Sequence, residues 1–498
     1  MTSNSRRLAI VLVLLFAGCA KARPVPITGP AVPAAPPLAP VEQLQADISS
    51  SLDQPGHRRA TWGIAIQSLT RNERLYAHNP GLLLVPGSTL KIVTAALAAA
   101  AVGWDYTFET TAEASGDFHD ESLEGDLVLT GTGDPTLLGR AGEDFAEAVT
   151  TMMAQRGIAH ISGRIVGNDN LVEEPRPAIA WSWEDLSYPF GALSGGLNIA
   201  ENAMRVVVTP GASDGAPTGI ELPPEAGDFP ILNQTVTGRP GSGQTLWAEQ
   251  RPLDARLIVA GSLAAGSKPA TLRVAVGNPT LWFARVVRAR ILRDGFIVSG
   301  GAVDVDDLPA PPKLGEVLLS HRSPPLSAIV RPMLKDSINL YADAVLRLVT
   351  GPAGERQSDA AIAAARPYLA AWGIPEDAIQ MLDGSGLSRR DAAAPEALLA
   401  VLQRHYDSTG ASPFMQGLPI AGVDGSLASR MKDTPAAGNA RAKTGTMSNI
   451  RTLAGYVTTK DGEPLAFVIM ANNFEGEPAA TLATIDRIVV RLASFSRN

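Results

Sequence analysis

The sequence predicts an α+β fold: an antiparallel sheet flanked by helices, built from both ends of the chain and interrupted by one or two inserted β-rich modules. Three observations predict it. Strand-like runs joined by hairpin turns occur near both ends. A helical run accompanies each pair. Between them lies a long middle of short β-like runs separated by Gly, Pro, Asn and Asp.

The chain opens with Arg6-Arg7, an apolar run from Leu8 to Phe16, and Ala17-Gly18-Cys19. A basic segment, a short apolar segment and small residues describe a secretory signal, and the run is too short to span a bilayer as an ordinary helix. Cys19, the single cysteine of 498 residues, sits where a lipoprotein-type signal (residues 1–19) places its lipidated cysteine. The expected outcome is a lipid anchor in a membrane facing the periplasm. Ala20, where an inner-membrane retention signal has aspartate, points to the outer membrane. One cysteine permits no internal disulfide, so stability must come from the core. Residues 20–40 read as a tether. Seven prolines fall between Pro24 and Pro40, and their missing donors exclude helix and ladder, leaving an extended segment of about 50 Å.

Val41, Leu44, Ile48 and Leu52 have helical spacing. Trp62–Leu69 and Glu73–His78 read as a strand pair, and Ser88–Ala101, after Pro86-Gly87, as an alanine-rich helix. At the far end, Arg451–Thr459 and Pro464–Ala471 form a hairpin around Asp461-Gly462, and 480–494 a closing helix. The middle holds runs such as Asp126–Leu129, Arg164–Asn168, Met204–Thr209, Arg256–Ala260 and Thr271–Gly277, with Pro279–Asp294 as its one strong helix. The expected division is therefore an outer domain of 41–104 with 301–498, an inserted domain of 105–190 with 271–300, and a nested β-rich domain of 191–270. The net charge of −8, spread without long runs, argues against nucleic acid as a partner.

Three strings carry the chemistry: Ser88-Thr89-Leu90-Lys91, Ser337-Ile338-Asn339 and Lys443-Thr444-Gly445. Order and spacing matter more than any one string. S-x-x-K recurs at Ser429–Lys432 and S-x-N at Ser496–Asn498, but 249 positions separate Ser88 from Ser337 and 106 separate Ser337 from Lys443. A serine hydroxyl needs a nearby base to act as nucleophile. On a helix, i and i+3 share a face, so Lys91 can reach Ser88. Lysine is a base only when neutral, which burial and a second cation, Lys443, would favour. A serine at a helix N-terminus also meets free amides that stabilise developing negative charge. Ser337 can relay a proton to a leaving amine, Asn339 can hold Lys91 and a substrate amide, and Lys443 supplies a fixed positive charge. Thr444 and Thr446 offer hydroxyls to a terminal carboxylate, and Gly445 lets a peptide backbone approach an edge strand. None of this calls for a metal or other cofactor.

With these motifs the chain resembles the class C low-molecular-mass penicillin-binding proteins, the penicillin-binding protein 4 type of D-alanyl-D-alanine carboxypeptidase/endopeptidase. Gly131–Leu137 (GTGDPTL), Asp383–Arg389 (DGSGLSR), Leu418–Leu427 (LPIAGVDGSL) and Leu453–Tyr456 extend the match. The resemblance implies a penicillin-recognising serine transpeptidase-like domain with two insertions after its first motif. It implies hydrolysis of peptidoglycan stem peptides through an acyl-Ser88 intermediate and inhibition by β-lactams. Lys91 is then the general base, with Ser337, Asn339 and Lys443 completing the relay. The N–H groups of Ser88 and Thr446 form the oxyanion hole. Trp183–Leu186 resembles a segment whose aspartate meets the amine of diaminopimelate, which puts forward Asp185, with Phe190 and Met447 in the same pocket. Ile338 departs from the usual Asp or Asn, at a position that does not react.

Two other readings compete. A β-lactamase shares the first and third motifs, but there is no Y-x-N in the chain and no E-x-x-x-N between Ser337 and Lys443. A non-catalytic wall-binding scaffold would not need all the reactive side chains present here.

Overall fold

The structure, a computed structural model, describes residues 38–53, 59–138, 144–227, 229–250 and 256–498. Cys19 and nearly all of the proline-rich segment lie outside the described residues. Pro40–Asn498 form one compact unit, and no helix among the described residues is long and apolar enough to cross a membrane.

A five-stranded sheet organises the outer part. Its order is Arg441–Met447, Ile450–Thr458, Pro464–Asn472, Thr61–Ser68, Arg74–His78, and every pairing is antiparallel. The central strands are apolar at successive positions because both faces are covered, not one. Ile64, Ile66, Phe467 and Ile469 point to a layer formed by Leu44 and Ile48 of the helix Pro40–Leu52 and Ile485, Ile488 and Leu492 of the helix Pro478–Ala493. Ala65, Ala466, Val468 and Met470 face the opposite layer, with Ile92 and Leu97 of the helix Lys91–Val102 and Leu398 and Leu402 of the helix Pro395–Arg404. Each such Ile, Leu, Val, Phe or Met side chain contributes about 1.5–3 kcal/mol of burial. Arg441–Met447 is an edge strand, so its outer side is open to the active-site turn.

The middle of the chain builds a separate apolar core from a sheet that includes Glu109–His119, Ser122–Gly131 and Ile165–Asn168, packed under the helices Phe145–Arg156 and Pro279–Arg293. Two three-stranded sheets follow, one around Leu257–Ala264 and one around Ala203–Thr209. Three details differ from expectation. Val317–Arg322 pairs with Glu109–His119, so the segment up to Arg322 stays with the sheet of the middle, and the chain rejoins the outer core with the helix Leu326–Lys335. Ala270–Ala275 pairs with Ala203–Thr209, which extends the nested segment to about 275. And Phe145–Arg156 is a second helix of the middle. Its stop and start signals were legible: the Asp144 carboxylate accepts the Glu147 amide at 3.1 Å, and Gly157 closes the helix in the left-handed conformation. Its Ala, Thr and Met content gave it little amphipathic contrast.

Candidate active site

Ser88 lies in a 3₁₀ turn, Gly87–Leu90, that runs into the helix Lys91–Val102. Gly87 takes φ +52°, a left-handed conformation that glycine adopts without cost. This places Ser88 and Lys91 three residues apart on one face. Lys91 is fully buried, and its ammonium donates to Ser88 Oγ at 2.9 Å, Asn339 Oδ1 at 2.6 Å and the Ser385 carbonyl at 2.7 Å. Of these three partners, the two carbonyl oxygens can only accept. When Lys91 is neutral, its two N–H groups stay with them and its lone pair is left for the one partner that can donate, Ser88. The geometry thus selects the proton to be removed.

Burial pushes Lys91 down to about 8, against the opposing pull of Asp343, Asp383 and Asp391. Burial, and then the Lys91 charge, push Lys443 well below its ordinary range, and the repulsion between the two cations is mutual. Lys443 is fully buried and donates to Ser337 Oγ at 2.9 Å and to the Thr444 carbonyl at 2.8 Å. Ser337 stands at φ +63°, an unfavourable conformation for a side chain, costing of order 1 kcal/mol. Asn339 begins the helix Asn339–Leu346, and its Nδ2 donates to the Phe190 carbonyl at 2.8 Å. That bond ties the second motif to the segment that carries Asp185.

The three motifs meet at a pocket of about 660 Å³ lined by Ser88, Ser337, Asn339, Thr446, Met447, Asp185 and Phe190, together with Arg389 and Arg451. A larger cleft of about 910 Å³, lined by Leu83, Ile362 and Leu369, shares no residue with the motifs. Asp185 sits in the 3₁₀ turn Trp183–Ser187, where burial raises its pKa and the charge of Arg389 lowers it. Phe190 is exposed and stacks on Tyr188 with centroids 5.3 Å apart. Among the described residues, no group of three or more His, Cys, Asp or Glu could hold a metal ion.

Thr446 is exposed at the pocket, and Thr444 is buried with its hydroxyl hydrogen-bonded to Ser426 at 2.7 Å. Gly445 makes room for the protein's own backbone. A Cβ there would stand 2.1 Å from Thr452 Oγ1, 2.7 Å from the Pro86 carbonyl oxygen and 3.1 Å from the Ser88 amide. Gly445→Ala should push the Ser88 turn off the strand and lower the rate of acylation by benzylpenicillin more than about 100-fold. A parental rate in that variant would show that this packing does not position Ser88.

Sequence reasoning missed Arg389, Arg451, Ser385, Ser426 and the buried carboxylates Asp343 and Asp391. Arg389 closes the DGSGLSR stretch, which was visible as a string without a place. Ser385 acts through its carbonyl, which leaves no side-chain signal.

The family model for the D-Ala-D-Ala carboxypeptidase 3 (S13) family matches residues 44–495. The chain belongs to this family. It is a serine-type D-Ala-D-Ala carboxypeptidase, and the match across nearly the whole chain sets aside both the β-lactamase and the scaffold. A D-alanyl-D-alanine carboxypeptidase of Actinomadura sp. (strain R39) is 32% identical over 467 residues, covering 91% of this chain and 85% of the relative. The D-alanyl-D-alanine carboxypeptidase DacB of Haemophilus influenzae is 29% identical over 423 residues, covering 83% and 85%. The crystal structure of penicillin binding protein 4 (dacB) from Haemophilus influenzae aligns with a TM-score of 0.77 at 26% identity, over 90% of this chain and 99% of that one. The fold is thus the penicillin-recognising serine enzyme fold with insertions.

Proposed function

We propose that this carboxypeptidase removes the terminal D-alanine from peptidoglycan stem peptides through an acyl-Ser88 intermediate, and cleaves D-Ala–diaminopimelate cross-links by the same route. The observation that carries this reading is the Lys91 Nζ–Ser88 Oγ bond of 2.9 Å at the floor of the pocket. Neutral Lys91 takes the Ser88 proton as Oγ attacks the carbonyl carbon of the penultimate D-alanine. The oxyanion faces the backbone N–H groups of Ser88 and Thr446. The C–N bond breaks as the leaving amine receives a proton through Ser337 and Lys443. Water then attacks the ester, Lys91 accepts its proton, and the acid leaves with Ser88 restored. Asp185 and Arg389 present opposite charges on one wall, which suits the ammonium and carboxylate at the free end of diaminopimelate. Thr446 remains for the terminal carboxylate, and Phe190 and Met447 for the apolar part of the side chain.

β-Lactams mimic the acyl donor and acylate the same serine. A solved complex of the Haemophilus influenzae protein with a β-lactam, TM-score 0.71, supports this. Residues 1–19 direct export, Cys19 carries the lipid, and residues 20–40 give reach from an outer-membrane anchor into the periplasm. Mass spectrometry of the intact protein with and without benzylpenicillin tests the reading. One drug mass on the peptide holding Ser88 supports it, whereas consumed drug without an adduct overturns it. The same spectrum of membrane-extracted protein removes the anchor if Cys19 carries no acyl mass. Asp185→Ala should cost at least about tenfold on peptides with a free diaminopimelate amine and little on simple acyl-D-Ala-D-Ala. Equal losses on both would exclude Asp185 from specificity.

A further inference from the structure

Behind the site, the loop Asp383–Arg389 is held by one carboxylate. Asp383 is buried, and both its oxygens only accept. Oδ1 takes the amides of Ser385 at 2.8 Å and Gly386 at 2.6 Å, and the Ser385 hydroxyl at 3.2 Å. Oδ2 takes the Ser388 amide at 2.7 Å and the Trp181 indole N–H at 2.7 Å. Three of those donors set the path of the loop on which the Ser385 carbonyl faces Lys91. The loop also touches the nucleophile's turn. Gly386 stands at φ +79°, and a Cβ there would lie 2.0 Å from the Gly87 carbonyl oxygen. On the other side, Trp181 and the Ser388 hydroxyl, which donates to the Ile179 carbonyl at 2.7 Å, fasten the loop to the segment leading into Asp185.

We propose that Asp383 is a positioning residue of the reaction: its carboxylate fixes the Ser385 carbonyl against Lys91 and, through Trp181, couples the base to the wall that carries Asp185. This rests on the reading of Lys91 as the base of Ser88. A surface loop would gain little from so many donors on one anion, whereas a base that must keep its lone pair on Ser88 needs its other two acceptors held still. The groups facing Lys91 are Asp343 on the helix Asn339–Leu346, Asp383 and Asp391 on the loop side, and Lys443 on the edge strand. Arg347 lies beside Asp343. Of these, Asp383 alone also accepts from the amides on either side of the Ser385 carbonyl that Lys91 donates to.

The test is the pH profile of benzylpenicillin acylation for the parent, Asp383→Asn and Trp181→Phe, each checked for a cooperative thermal transition. Asp383→Asn removes an anion that favours protonated Lys91, so the rising limb should move to lower pH while the plateau rate falls about tenfold or more. A loop that is merely loosened would lower the plateau and leave the midpoint in place, and that result overturns the proposal. Trp181→Phe keeps a ring and loses the donor. It should slow acylation by benzylpenicillin, which has no diaminopimelate end to engage the wall, about tenfold. An unchanged rate there overturns the coupling, and decides the matter if Asp383→Asn does not fold. Failure of the underlying reading looks different: the parent itself then shows no rising limb.

Discussion

Ser88→Ala eliminates covalent labelling by penicillins and lowers carboxypeptidase turnover by about a millionfold, while the melting temperature stays within about 2 °C of the parent. The chemical loss is large because the variant has no atom to form the acyl bond, and the remaining donors stabilise only an uncatalysed water attack. The small stability change follows from the surroundings. Ser88 is partly exposed, and its hydroxyl is bonded to Lys91. Without it, Lys91 keeps Asn339 and Ser385 as acceptors, so no buried ammonium is stranded. Labelling rate, turnover on an acyl-D-Ala-D-Ala peptide and a thermal melt read the three quantities. Persistent labelling would move the nucleophile, and the only other S-x-x-K begins at Ser429. There both Ser429 and Lys432 are exposed, on irregular chain with Met431 at φ +55°.

This contrast shows what the sequence could and could not convey. The two S-x-x-K strings are equal as text. Pro86-Gly87 before one of them, and the order of the later motifs, set them apart, because a turn followed by an alanine-rich run is a local signal. The terminal strands and helices were legible for the same reason: their periodicity is written in neighbouring residues. The middle was harder. Short strands that pair across long gaps, as Val317–Arg322 does with Glu109–His119, leave no local mark of their partner. In the site, the side chains named by the motifs converge, but what tunes them does not belong to any motif. Ser385 lies 294 positions from Lys91, and Asp343 and Asp391 reach it only through the packing of the helix Asn339–Leu346 and the DGSGLSR loop. The groups that pack against Thr444 and Gly445, Ser426 and the Pro86 carbonyl, come from elsewhere in the chain.

The second large effect concerns Lys91 and pH. Acylation should rise with pH up to about pH 8, by no more than about tenfold per unit, because only neutral Lys91 can take the Ser88 proton, and flatten above it. The value of about 8 comes from burial. Asp343, held up to about 7 by burial and by Asp383, loses its own proton just below that, and its new charge strengthens the hold of Lys91 on its proton. The limb should therefore be broader than a single ionisation, a property of the coupled pair and not of either group. Lys91→Met should lose about 10²–10⁴ in acylation rate and lose the limb with it. A limb that survives the substitution would assign the base elsewhere. The two groups act on stability with opposite signs. Between pH 8 and 10.5 the unfolded lysine binds a proton that the native one has shed, so its contribution to stability grows as pH rises. Between 3.8 and 7 native Asp343 binds a proton that the unfolded chain has shed, so its contribution falls as pH rises. A site tuned for a neutral base thus gives up stability near neutral pH, where both groups are furthest from the state that folding prefers. Removing both, in Lys91→Met combined with Asp343→Asn, should flatten the pH dependence of the melting temperature between 6 and 9, where the parent's curve would carry the opposing slopes.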